Sequence, residues 1–400
     1  MVTHDLTVQG SDTIPNVRDH KIQKPVNKIY YPFFLSLTFV AHMAIEKITI
    51  ETLLALSKTY PVLDVRSPGE YKHAHIPGAY SLPLFTDEER KVVGTAYKQQ
   101  SREQAIKIAL PYFGTKMVAM VEVVEQLTGL SQKDIKAGNK KTVIVHCWRG
   151  GMRSAGVAWL LDIYGFKVYT LIGGYKVFRK WVLAQFEKSY PFKVIGGYTG
   201  SGKTGLLQEL KTKGETVIDL EALACHKGSA FGNLGEPAQP SQEMFENKLA
   251  IELSTVDSKQ PTIWIEDESQ RIGNINIPAQ LYKCKQSMPV YFIDIPFKER
   301  LEHIVHGYGQ FDKEHFINAI MRIKKRLGPL ETKTAVNFLL EDDLHNCFAV
   351  LLKYYDKWYS KSLLQLREAT KNNINRIKCP TVDASTNAQH ILKTFENIPA

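Results

Sequence analysis

Along the first half of the chain, short apolar runs alternate with longer stretches whose apolar residues recur every three or four positions. The pattern opens at MAIEKITIETLLAL, from Met43, and continues through PVLDVR, the helical ERKVVGTAYKQQSREQAIKIA, TVIVHC, the helical SAGVAWLLDIYG, KVYTLIGG and the helix-like YKVFRKWVLAQFEK. Apolar runs of strand length, interleaved with helical periodicity, predict a parallel sheet covered by helices. A second series begins at FKVIGG and continues through ETVIDLE, PTIWIEDES and PVYFIDIP, each separated by enough chain for a crossover helix. The junction is expected near SYPF, residues 189–192, without a low-complexity linker. From about residue 311 the pattern changes to long amphipathic helices, including EHFINAIMRIKKRLG and HNCFAVLLKYYDKWYSKSLLQLREAT. The expected fold class is therefore α/β throughout: one parallel-sheet unit over 44–190 and a second over 191–400 with a helical, basic C-terminal portion.

Composition adds a partner class. Four hundred residues, 44% of them hydrophobic, suffice for two globular units. A net charge of +10 favours an anionic partner, nucleic acid included, because clustered cations release counterions when they neutralise phosphates. The basic run RIKKR, residues 322–326, reads equally as a phosphate-contacting stripe or a solvated helix face. Five scattered cysteines without CxxC spacing argue against a disulfide framework or structural zinc and fit a reducing cytoplasm. Cys225, Cys284, Cys347 and Cys379 are expected in the core. The apolar stretch FFLSLTFVAHMAI, residues 33–45, is shorter than the roughly 20 residues a membrane-spanning helix needs, so no membrane partner is expected. Residues 1–43 read as a disordered or loosely packed extension; with a true start at Met43, residues 1–42 would lie upstream of it.

VIGGYTGSGKTGLLQEL carries Gly197, Gly200, Ser201, Gly202, Lys203 and Thr204 between an apolar strand and a helical pattern, the context of a P-loop. Its glycines let backbone amides curl around phosphate oxygens, Lys203 adds charge, and the helix N-terminus adds its dipole. Thr204 is placed to hold magnesium. Glu266, Asp267 and Glu268 follow the strand TIWI, and at least one of them is expected near the phosphate, holding magnesium or orienting substrate. Asp219 and Glu221, after TVI, have a weaker claim. The cradle accepts any diphosphate, so a kinase reading stays open at this point.

HCWRGGMRS, residues 146–154, has the HCxxGxxRS form of cysteine-dependent phosphatases. Cys147 leaves a buried strand and precedes a helix; the amides of Trp148, Arg149, Gly150, Gly151, Met152 and Arg153 are expected to surround its sulfur. The charges of Arg149 and Arg153 and the helix dipole would favour thiolate. Glycines 150 and 151 let the backbone approach closely. Phosphatase chemistry also needs a leaving-group acid, and no Asp stands out for it. The upstream DVRSPGEYKHAHIPGAYSLP, residues 64–83, resembles the rhodanese homology domain, in which the cysteine carries sulfur as a persulfide and DVR is scaffold. His75 and His146 are expected to be structural. The loop from Cys147 to Arg153 is one residue longer than in ordinary rhodaneses, which leaves room for phosphate, selenate-like or selenophosphate groups.

The two units in this order, with DVRSPGEY, DEERKVVGTAYKQQSREQAIKIA, HCWRGGMRSA, GGYTGSGKT, HKGSAFGNLGEPAQPSQEMFEN and WIEDESQRIG, resemble the bacterial tRNA 2-selenouridine synthase family over nearly all of residues 44–400. The resemblance implies a rhodanese-like domain followed by a P-loop NTPase-like domain. It further implies replacement of sulfur by selenium in wobble 2-thiouridine of tRNA, with selenophosphate as donor and an S-geranylated intermediate made from geranyl diphosphate. Cys147 matches the family's catalytic cysteine, carrying selenium as a selenylsulfide, with Arg149 and Arg153 on the donor's phosphate. Beyond this, the P-loop is expected to hold geranyl diphosphate, the basic C-terminal third to meet tRNA, and a selenophosphate-producing enzyme is a candidate partner. No tightly bound cofactor is expected. A simple sulfurtransferase and a phosphatase are the competing readings.

Overall fold

The first sheet has five parallel strands in the order β1-β5-β4-β2-β3, comprising β1 (Glu46–Ile48), β2 (Val62–Asp64), β3 (Tyr80–Ser81), β4 (Thr142–His146) and β5 (Lys167–Leu171). The chain is described by a computed structural model covering residues 45–256, 262–308, 312–370 and 374–396. The expectations for residues 1–43 lie outside the described residues. Strand β4 is buried from Val143 to His146, as a central strand covered on both faces must be. Its C-terminal end delivers Cys147, and the helix Met152–Tyr164 starts at the far side of the loop.

The remaining strands are β6 (Phe192–Gly197), β7 (Val217–Ile218), β8 (Ile263–Glu266), β9 (Arg271–Ile272), β10 (Ile275–Asn276), β11 (Val290–Asp294) and β12 (Ile374–Lys378). Five of them form the second parallel sheet, in the order β12-β11-β6-β8-β7, while β9 and β10 make a small antiparallel ribbon. P-loop strand β6 is central, and its C-terminal end leads into the helix Lys203–Thr212. Ligands of open α/β sheets bind at that end of the strands. The described residues fall in one compact unit. Tyr175, Phe178 and Val182, from the helix after β5, share an apolar core with Phe245 and Leu249 of the helix Gln242–Ser254. Polar bonds join the same helices: Tyr175 donates to Glu243 Oε1 at 2.7 Å, and Arg179 pairs with Glu246 at 2.5 Å.

Two readings need correction. The stretch ERKVVGTAYKQQSREQAIKIA is two helices, Asp87–Gln99 and Arg102–Gly114, because the Ser101 side chain accepts from Gln104 N and caps a new start. The C-terminal portion is helical but also supplies β12, which pairs with β11 and buries Ile377 and Cys379. The two long helices are present, as Lys313–Leu327 and Leu344–Thr370. No helix among the described residues is long and apolar enough to cross a membrane.

Candidate functional site

Cys147 sits where β4 ends, only 3% exposed, with its Sγ 3.3 Å from the Ser154 hydroxyl. Burial pushes its thiol up, but the Ser154 hydroxyl, backbone bonds at Ser154 and Arg149, and the Arg153 charge together bring it below the ordinary value. Arg149 acts on the sulfur through its backbone, while its side chain is exposed. Ser154 was missed as a contributor, although it closes the HCxxGxxRS string. Arg153 is already engaged: its Nη1 donates to Glu70 Oε2 at 2.8 Å, and Arg90 reaches the same oxygen at 2.9 Å. Burial pushes the Glu70 carboxyl up, yet these cations hold it below its usual range.

The loop is clamped from behind by LIGGYK. Tyr175 N donates to Cys147 O at 2.8 Å and Lys176 N to Trp148 O at 3.0 Å. Gly150 has φ +64°, and a Cβ there would lie 2.6 Å from Leu171 O. Gly174, at φ +58°, would bring a Cβ within 2.3 Å of Cys147 O. Gly151 caps the helix, and Trp148 and Met152 project outward at 36% and 45% exposure. Arg66 of DVR is buried and bidentate to Asp64, and its guanidinium stacks 3.8 Å from the Tyr175 ring centroid. His146 is fully buried, with Nε2 3.8 Å from Asp64 Oδ2, and burial lowers its basicity. His75 stacks on Tyr71 at 3.9 Å and meets Tyr71 O through Nδ1. Both histidines thus occupy packed, structural surroundings. The site can hold a thiolate beside an anion-binding backbone, whichever group the sulfur carries.

The second site is a cavity of about 710 Å³ lined by Gly197 and by Thr199 to Gly205. Gly200 and Gly202 have φ +83° and +69°, and a Cβ on Gly202 would strike Val382 at 2.6 Å. Lys203 Nζ donates to Gly197 O at 3.3 Å, a weak contact that a phosphate would replace. Thr204 donates to Glu221 Oε2 at 3.1 Å, so Glu221, the weaker candidate by sequence, sits directly on the P-loop. Burial and then Glu268 push the Glu221 carboxyl up to about 8. Glu266 is 1% exposed, accepts from Glu221 N at 2.7 Å, and is pushed well up by burial and by Asp219 and Glu221. Asp219 caps the helix Leu220–Ala224.

Glu268 and Asp267 line the cavity, with buried Lys285 3.4 Å from Asp267 and bonded to Glu268 O at 2.5 Å. Tyr359 donates to Asp267 Oδ2 at 3.0 Å and accepts from Gly197 N at 3.3 Å, tying the first P-loop glycine to the acidic stretch. Tyr354, Tyr355 and Trp358, from the same long helix, form an aromatic wall of the cavity. Of RIKKR, Arg322 donates to Ala230 O and Arg326 reaches the cavity wall, while Lys324 and Lys325 stay exposed. Cys347 and Cys379 are buried as expected. Cys225 and Cys284 are only partly buried, a correction, because Cys225 ends the helix Leu220–Ala224 at φ +52° and Cys284 lies on the helix Ala279–Gln286.

Comparison with known proteins places these sites in context. Residues 49–180 match the rhodanese-like domain family, and residues 190–379 match a family described as the tRNA 2-selenouridine synthase AAA domain. The chain is similar to a tRNA 2-selenouridine synthase of Bdellovibrio bacteriovorus, at 38% identity over 66% of this chain and 69% of that one. A synthase of the same name from Nitrosomonas eutropha is 34% identical over 75% of this chain and 74% of its own. For one from Pseudomonas putida W619 the figures are 36%, 75% and 88%.

Proposed function

Because the chain belongs to the tRNA 2-selenouridine synthase family, we propose that it replaces sulfur by selenium in wobble 2-thiouridine of tRNA. Selenophosphate is the selenium donor, and the route runs through an S-geranylated nucleoside made from geranyl diphosphate. The carrying observation is the Cys147 loop, a buried thiol held below its ordinary pKa, on the same compact unit as a P-loop. Residues 44–190 act as the rhodanese-like domain and 191–400 as the P-loop domain.

In this reading the Trp148 to Arg153 segment receives the donor's phosphate beside the Cys147 thiol; selenium, already at the selenide level, attacks C2 while still bound to phosphorus, and the selenium–phosphorus bond then breaks to water, releasing phosphate. Geranylation precedes selenation for a chemical reason: once sulfur is alkylated, a selenium nucleophile adds at C2 and the carbon–sulfur bond breaks, releasing geranylthiolate. Unalkylated sulfur would leave as a much poorer group. The P-loop holds the diphosphate of the geranyl donor through Lys203 and the amides of Gly200 to Thr204. Support for this choice comes from the aromatic wall of Tyr354, Tyr355 and Trp358 in the same cavity, an apolar surface for the tail.

Among the described residues no group of three or more His, Cys, Asp or Glu side chains is arranged around a metal. The hydroxyl of Thr204 and the carboxylate of Glu221 are nonetheless hard oxygen donors of the type magnesium takes, and magnesium would neutralise charge on the diphosphate. The exposed Lys324 and Lys325 are candidates for the tRNA backbone, which predicts salt-dependent binding. Nucleoside analysis of tRNA from cells lacking the protein tests the whole reading. Wild type should restore 2-selenouridine and Cys147→Ser should not; restoration by the serine variant would defeat it.

A further inference from the structure

We propose that the apolar cavity walled by the helices Asp87–Gln99 and Arg102–Gly114 seats the prenyl tail of the S-geranylated nucleoside while selenium is transferred. This rests on the geranylated intermediate proposed above. The cavity measures about 920 Å³, and Phe85, Ile106, Leu110, Phe113 and Trp159 are among its walls. Two residues of the segment that follows Cys147, Met152 and Arg153, are also in its lining, which joins it to the Cys147 loop. That volume exceeds a geranyl chain and lies near the upper end of ordinary ligand pockets, which leaves room for the nucleobase that bears the tail.

Its architecture points to a ligand rather than to sheet formation. Strand β4 follows β3 only after residues 82–141, whereas a single helix suffices between β4 and β5. The two inserted helices pack on one another and leave their inner faces open: a Cβ on Gly94 would meet nothing within 4 Å. Tyr97, Leu110, Met152 and Trp159 all line the cavity yet remain 53%, 58%, 45% and 41% exposed, an unusual concentration of large apolar side chains in water.

Arg90, Lys91, Lys98 and Arg153 also line it, Arg90 and Arg153 paired with Glu70. An apolar cavity lined in part by cations suits an amphiphile, an apolar tail borne by a polyanionic RNA. A free diphosphate would find no cradle inside, which leaves the geranyl donor at the P-loop and its product here.

The test uses the full chain and an anticodon stem-loop RNA carrying either S-geranyl-2-thiouridine or 2-thiouridine. Wild type should bind the geranylated RNA more tightly by at least about a factor of a hundred, which burial of a third of the tail's carbons already supplies. Ala109→Trp, which fills the cavity, and Leu110→Asp, at its exposed mouth, should collapse that ratio toward one. The ratio is the readout because a general loss of RNA affinity leaves it unmoved. If Ala109→Trp loses cooperative unfolding, the Leu110→Asp ratio decides alone. A ratio retained by the folded variant overturns the proposal. So does a wild type that converts geranylated RNA to 2-selenouridine without preferring it. A wild type that neither prefers nor converts the geranylated RNA overturns the geranyl intermediate itself, and the proposal with it.

Discussion

The loops after β4 and after β6 both leave the C-terminal end of a central strand and enter a helix, yet their surroundings push charge in opposite directions. Around Cys147, burial is outweighed by the Ser154 hydroxyl, two backbone bonds and Arg153, so the thiol ionises more readily than an ordinary one. Around Lys203, burial pushes Glu221, Glu266 and Glu268 up, helped by Glu268 at Glu221, by Asp219 and Glu221 at Glu266, and by Asp267 at Glu268, so these acids ionise less readily than ordinary carboxyls. Similar backbone geometry therefore does not dictate similar chemistry. The side chains behind each loop decide whether it presents a nucleophile or receives a charged substrate.

Lys203→Ala should break the second loop while sparing the first. The rate of S-geranyl-2-thiouridine formation from geranyl diphosphate should fall by about two to three orders of magnitude. Retained affinity and rate would remove geranyl diphosphate from the P-loop. Gly174→Ala attacks the first loop from behind, where the added methyl would lie 2.3 Å from Cys147 O at a positive φ. Chemical denaturation should show a loss of about 2–4 kcal/mol; an unchanged midpoint would mean the clamp yields freely.

The acids of the second loop also predict a pH dependence. A carboxyl whose folded pKa is raised contributes stability that is complete below its unfolded value and lost as pH rises through its folded value. For Glu221 that window runs from the ordinary 4.5 to about 8. Thermal midpoints of the ligand-free protein should therefore decline between about pH 5 and 8 and level off above, and Glu266→Gln should flatten the decline. A flat wild-type profile would contradict the raised Glu221 carboxyl. The smallest effect is expected from Ser154→Ala, which removes the hydroxyl beside Cys147. The pH midpoint of iodoacetamide alkylation should move up by less than about one unit, worth roughly 1.4 kcal/mol; no movement would leave the backbone and Arg153 as the thiol's only support.

Much of the architecture was legible because each central strand is an apolar run closed by a functional motif. FKVIGG before TGSGKT and TVIV before HC place both loops without further information. The break in the insert was also legible in retrospect: Ser101 to Gln104 has the S-x-x-Q form of a helix start. Strand β12 is harder, since its five residues INRIK bury only Ile377 strongly and follow a helix of 27 residues.

Partners distant in sequence were not legible at all. Glu70 meets Arg153 across 83 positions, and Tyr359 meets Gly197 across 162. Nothing in local spacing ties a glutamate in SPGEY to an arginine in GGMRS. The cavity beside Cys147 was hidden for the same reason, although the inserted segment that walls it was visible as a family feature.

The claim that the two loops perform separate steps is tested most directly by a reconstitution with 2-thiouridine tRNA, geranyl diphosphate and selenophosphate. Cys147→Ser should accumulate S-geranyl-2-thiouridine and make no 2-selenouridine. Lys203→Ala should make neither from 2-thiouridine tRNA, yet should convert tRNA supplied already geranylated. Formation of 2-selenouridine by Cys147→Ser, or failure of Lys203→Ala on the geranylated tRNA, would contradict the division.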